Sequence, residues 1–138
     1  MLPTILALAL LGTFIQPRQP LEQALAAKKW QRRVILLYAR AENSVPLATQ
    51  KRLLAEQQSG LDDRDIDVIT VLESELAAPD KTYLLGGDRR LSPTADFAGF
   101  LIGKDGGVKQ RFTRPTHPTE LFRLIDTMPM RQSEMKHK

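Results

Sequence analysis

Two short apolar runs, Val34–Ala39 (VILLYA) and Ile66–Leu72 (IDVITVL), limit what this chain can become more than any other part of it. The first is continuous and carries β-branched and aromatic residues, the pattern of a strand covered on both faces. The second has the same β-branched character and reads as another buried strand. Between them Ser44 and Pro46 supply a helix start, and Leu47, Leu53 and Leu54 mark one face of a helix that should stop near Gly60. Strand, helix and strand at this spacing predict a βαβ unit with parallel strands and a right-handed crossover.

The second half predicts a hairpin over Phe97–Phe112, centred on FLIGKDGGVKQRF at residues 100–112. Asp105-Gly106 is a favoured dipeptide of two-residue turns, whose central residues both need positive φ. Alternation then turns Val108 and Phe112 inward and Lys109 and Arg111 outward. Pro118 opens a final helix, Glu120 complements its N-terminal dipole, and Leu121, Phe122, Leu124, Ile125 and Met128 form its apolar stripe before Pro129 stops it. Shorter helical stretches are expected at Leu21–Ala27 and Ala77–Leu85, the latter ended by Gly86-Gly87.

At 138 residues the chain is long enough for one independent core. Residues 1–15, MLPTILALALLGTFI, carry no charged side chain. The run Ile5–Ile15 has the length of a signal-peptide core and is short of the ~20 residues of a membrane span. Export to the periplasm or outside the cell is the expectation, with a buried N-terminal helix and an uncleaved anchor as alternatives. The organisation is therefore a signal-peptide-like segment and spacer at 1–20, a folded domain at 21–131 and a flexible basic tail at 132–138. No stable membrane span is expected once the leader is removed. The net charge of +4 sits in two basic blocks around an acidic segment at residues 60–80. Such a split, poor in aromatics, argues against nucleic acid as a partner.

The order βα, β, a variable connection, ββ and α is the thioredoxin arrangement, an α/β fold with a mixed sheet flanked by helices. Phe100–Lys109 (FLIGKDGGVK) and Leu121–Arg131 (LFRLIDTMPMR) sharpen it. Over Trp30 to Arg131 the chain resembles a bacterial family of unknown function. That family is similar to peroxiredoxins lacking the redox cysteine, and to a domain of sushi-repeat and extracellular-matrix proteins, the P-DUDES group. The resemblance implies a peroxiredoxin-like fold, a βαβ unit followed by a ββα unit, and an exported compartment. It supplies no reaction.

In a working peroxiredoxin the nucleophile follows the first strand, where helix N–H groups depress a thiol's pKa. The matching stretch runs from Arg40 to Leu47, and the chain contains no cysteine. Thiol chemistry is excluded, leaving Arg40 and Ser44 as remnants of the redox-site position, with Ser44 better suited to cap the helix. Asp63, Asp65 and Asp67 match the first positions of a calcium loop, but Val68 stands where Gly is needed and Ser74 where Glu is needed. Met128, Met130 and Met135 with His137 suit Cu(I). His117 and His137 are too sparse for zinc.

The expected role is a binding or interaction module without redox chemistry and without a cofactor or resident metal. Its candidate surface is Lys104, Lys109, Arg111 and Arg114, and its partner an envelope or extracellular protein or an anionic ligand. The same cations would also suit protection of a sheet edge. Non-thiol enzyme chemistry on this scaffold and copper handling by the Met-rich end are the alternatives.

Overall fold

The computed structural model describes residues 19–137. The apolar run at 1–15, on which the export reading stands, lies outside the described residues. Along the chain come α1 (Leu21–Ala26), β1 (Arg33–Ala39), α2 (Val45–Ala55), α3 (Gln58–Asp63), β2 (Ile66–Leu72), a 3-10 turn (Glu73–Glu75), α4 (Ala78–Leu85), β3 (Phe97–Ile102), β4 (Val108–Phe112), α5 (Pro118–Ile125) and α6 (Pro129–Lys136). Among the described residues no helix is long and apolar enough to cross a membrane.

The strands form one sheet in the order β2-β1-β3-β4, with β1 parallel to β2 and both other pairings antiparallel. Every residue of β1 is buried because the strand is central and both of its faces are covered. Ile35, Leu37 and Ala39 pack on Leu47, Leu54, Leu61, Leu121, Phe122 and Ile125 from α2, α3 and α5. Val34, Leu36 and Tyr38 pack on Leu21, Leu25 and Leu84 from α1 and α4. This two-sided cover explains why VILLYA is continuous rather than alternating. The second run differs from expectation. β2 is an edge strand in which only Ile66 and Val71 are fully buried, since cover from the helices thins toward the edge.

The expected helix beginning at Ser44 is two helices, and Gly60 lies inside the second rather than at a stop. A Cβ on Gly60 would stand 2.5 Å from the Phe122 ring, so this glycine serves the close approach of α3 to α5. The hairpin turn also differs. Only Gly106 takes a left-handed φ, of 87°, and Gly106 N–H donates to Gly103 C=O at 3.0 Å. The loop is thus a turn closed by one left-handed glycine, not the two-residue type read from Asp105-Gly106. Pro129 stops α5's continuation but opens α6, and residues 132–136 of the expected flexible tail lie within that helix. Arg131 on its first turn is 3% exposed, so this helix is tied to the body by charge rather than by an apolar stripe.

Candidate functional site

At the C-terminal end of β1, the position of the redox centre implied by the peroxiredoxin resemblance, the side chains are committed to holding the chain together. Ser44 Oγ accepts from Leu47 N–H at 3.2 Å and caps α2. Arg40 Nη2 donates to the carbonyls of Pro93 at 3.1 Å and Ala95 at 3.4 Å, while its Nε lies 3.5 Å from Glu73 and 3.6 Å from Asp96. The guanidinium therefore fastens the loop before β3 to the end of β1. Burial pushes the Tyr38 hydroxyl above the usual phenol range, and the nearby Glu73 carboxylate adds to that shift. Tyr38 is accordingly a neutral phenol at physiological pH, and its hydroxyl lies 3.4 Å from the Glu73 carboxylate.

The four hairpin cations do not make a single face. Lys104 is 8% exposed, and its Nζ reaches inward to Asp65 at 2.9 Å and Glu134 at 2.8 Å. An irregularity in the β3–β4 pairing between Leu101 and Ile102 leaves Lys109 without a partner on β3, although it stays exposed as alternation predicts. Arg111 pairs with Phe100, whose side chain belongs to the cluster beneath α1 and α4, whereas Lys109 folds over Gly103 and pairs with Asp105 at 2.8 Å. Arg111 and Arg114 remain exposed and, among the described residues, are not ion-paired. Along the outer edge of β4, Asp88 accepts from Val108 N–H at 2.9 Å and so occupies one of the strand's free donors. Such capping discourages sheet-to-sheet pairing.

The opposite pole of the sheet, where β1 begins and β3 ends, holds a dense ion network. Arg33, 1% exposed, presents Nη1 and Nη2 to the two oxygens of Glu134 at 3.1 and 3.2 Å. Arg131 joins Asp63 at 2.6 Å and Asp126 at 3.0 Å, and Asp126 also takes Arg64 at 2.8 Å. Asp67 binds Lys28 at 2.7 Å and Arg32 at 2.8 Å. The three aspartates of the calcium reading are thus ligands of arginine and lysine, and among the described residues no group of three or more metal-binding acids and histidines gathers.

These contacts set a pH dependence. Hydrogen bonds from Arg64 hold the Asp126 carboxyl below its ordinary range, and those from Lys104 do the same for Asp65. Partial burial alone would raise Glu134, but hydrogen bonds from Arg33 and Lys104 outweigh it and the carboxyl is held down. A carboxyl depressed on folding contributes stability above its unfolded pKa and loses it as pH falls through the folded one. The urea midpoint is expected to be level from neutrality to about pH 5 and to fall steeply below about pH 4. A midpoint unchanged between those limits and pH 3 would contradict the pairing.

Beside this network lies a cavity of about 310 Å³ lined by Trp30, Arg33, Gly103, Lys104, Asp105, Lys109, Met128, Pro129 and Met130. Trp30 is 62% exposed and has φ of 70°, unusual for a bulky residue, and its backbone N–H donates to Lys104 C=O at 2.6 Å. Met128 and Met130 of the copper reading share this cavity, while Met135 and His137 do not line it. Three cationic side chains around the thioethers make it a poor place for Cu(I). Trp30 and Arg33 carry no signal in the hydrophobic pattern. The only hint was a lone tryptophan inside the basic stretch Lys28–Arg33.

Comparison with known proteins agrees with this geometry. The fold is similar to that of a reduced 2-Cys peroxiredoxin of Plasmodium vivax, with a TM-score of 0.57, 13% identity and 79% of this chain and 84% of that one covered. It is also similar to a DsbF homologue from Corynebacterium diphtheriae, with a TM-score of 0.56, 14% identity and 75% and 76% coverage. In sequence the chain is 30% identical over 114 residues to the human sushi repeat-containing protein SRPX, covering 76% of this chain, and 28% identical to the rat protein. The match spans 25% of the length of either relative. A thioredoxin-like α/β domain without cysteine, matched from residue 24 to residue 134, belongs to the family described as a domain of unknown function, DUF4174.

Proposed function

We propose that the chain is an exported binding module that uses the thioredoxin-like scaffold without redox chemistry. The observation that carries this reading is the state of the redox-site position. Ser44 Oγ caps α2 and Arg40 is bonded to the carbonyls of Pro93 and Ala95, in a chain that contains no cysteine. No thiolate can form, and the side chains that remain serve the fold. The uncharged segment at residues 1–15 supports export. The partner is an envelope or extracellular protein, or an anionic ligand, met by cations on the hairpin side.

The test uses Arg111 and Arg114, which are exposed, distant from caps, and outside the ion network. The double change Arg111→Glu with Arg114→Glu is expected to lower recovery of partners from a cell-envelope fraction at least tenfold. Folding stability should change by less than about 1 kcal/mol, since two exposed charges are altered. Full recovery by the folded variant rejects this surface. Thiol-dependent turnover of a hydroperoxide by the pure wild-type chain rejects the non-redox reading itself.

A further inference from the structure

A further cavity, of about 220 Å³, opens on the α1 and α4 face of the sheet, between the loop before β1 and the hairpin turn. Four cations line it, Lys28, Lys29, Arg32 and Arg89, against one carboxylate, Glu22. Two of the four are already engaged. Arg32 gives Nε and Nη2 to Asp67 at 3.2 and 2.8 Å, and Lys28 Nζ gives one of its three N–H groups to the same carboxylate at 2.7 Å. Lys29 is not. Its stem folds over the turn, so that a Cβ on Gly106 would stand 2.8 Å from its Cε, and its ammonium has no ion-pair or hydrogen-bond partner among the described residues.

Arg89 is fixed in place with donors to spare. Its guanidinium lies 3.6 Å from the centre of the Tyr83 ring and its Nε–H donates to Tyr83 C=O at 2.8 Å. Gly87, at a φ of 58°, passes so close that a Cβ there would stand 2.7 Å from Nη1, which meets Asp88 only at 3.4 Å. Nη2 has no acceptor among the described residues, and it is not sealed from solvent, because the buried side-chain atom without a partner is Arg33 Nε. Stacking and the Nε bond remove the rotamer freedom that a mobile arginine would lose on binding.

We propose that this cavity binds a small compound bearing a divalent tetrahedral oxyanion, its oxygens accepting from Arg89 Nη2, Lys29 Nζ and the spare N–H groups of Lys28. Charge-assisted bonds from arginine and lysine are the strong contacts of such anions. A tetrahedral group offers oxygens in several directions, which suits donors arriving from the loop before β1 and from the loop after α4. A planar carboxylate offers them in one plane. The cavity is smaller than the ~300 Å³ at which sites for drug-sized ligands begin, so little besides the anion fits. This inference rests on the binding-module reading and names the ligand class for one site on it, apart from Arg111 and Arg114.

The experiment titrates the full chain by calorimetry at neutral pH and low salt with inorganic phosphate, inorganic sulfate and glycerol 3-phosphate, and with acetate as the planar, singly charged control. At least one tetrahedral anion is expected to saturate a single site at least tenfold more tightly than acetate. Whichever of the three binds tightest assigns the group to free phosphate, to sulfate or to a phosphate ester. Lys29 and Glu22 are exposed, so changing them leaves the core intact. Lys29→Gln should weaken the anion at least fivefold, and Glu22→Gln should tighten it, because it removes the opposing carboxylate. Lys51→Gln, an exposed charge on α2 across the sheet, should leave affinity within twofold and separates the site from net charge. A silent titration, acetate binding as tightly as the tetrahedral anions, unchanged affinity in Lys29→Gln, or an equal loss in Lys51→Gln overturns the proposal. Any of these leaves the non-redox reading standing, whereas hydroperoxide turnover would remove that reading without altering the titration.

Discussion

Replacing Glu134 by Ala is expected to destabilise the domain by about 3–5 kcal/mol, the cost of removing one partner from a buried charge pair. Arg33 would be left 1% exposed with its guanidinium lacking the carboxylate, and Lys104, 8% exposed, would keep only Asp65. A chain ending at Arg131 should lose at least as much, because it deletes Glu134 and most of α6 together. Glu134→Gln should fall between, since an amide oxygen still accepts from Arg33 but carries no charge to offset it. Thermal melts of the three variants decide the matter. A melting temperature within about 2 °C of wild type for the truncated chain would mean that the segment behaves as a tail.

Gly99→Val should cost about 3 kcal/mol, by a different route. Gly99 sits on β3 directly opposite Phe112 of β4, and any Cβ there would overlap the Phe112 ring. The ring lies over the glycine and meets Phe97 at 6.5 Å, closing the core at the outer edge of the sheet. Branched carbons at Gly99 force Phe112 outward, adding overpacking strain to the loss of a buried aromatic. Space is the cause, since Gly99 has no positive φ. The Gly99→Ala and Phe112→Leu pair supplies the check. The smaller side chain at 112 makes room, so the double variant should be more stable than the sum of the singles by at least about 1 kcal/mol. Strict additivity would remove the steric account.

Much of the domain was legible from local pattern. VILLYA is a fully buried central strand, and the helix at Pro118 and the hairpin after Phe97 lie where turn chemistry and periodicity put them. IDVITVL shows the limit of that reading. A β-branched run looks alike in a central and an edge strand, and only the sheet order decides how much cover it receives. Gly60 misled for a related reason. Glycine ends helices by its backbone freedom, but it also admits close contact, and the Phe122 ring that requires it comes from far along the chain.

The candidate site was the least legible part. Lys104 read as a turn cation, and only its long-range partners Asp65 and Glu134 draw it inward, while Lys109 stays exposed but is taken up by Asp105. What the sequence determined by itself was the four strands and their order along the chain, the helix starts at Ser44 and Pro118 and the absence of thiol chemistry, because periodicity, turn residues and composition act within a few residues of each other. What only the tertiary structure decided was which charges are buried and where a cavity opens. Arg33 and Glu134, 101 residues apart in the chain, meet, and Trp30 and Met130 share a wall, only because the fold brings the start of β1 beside α6.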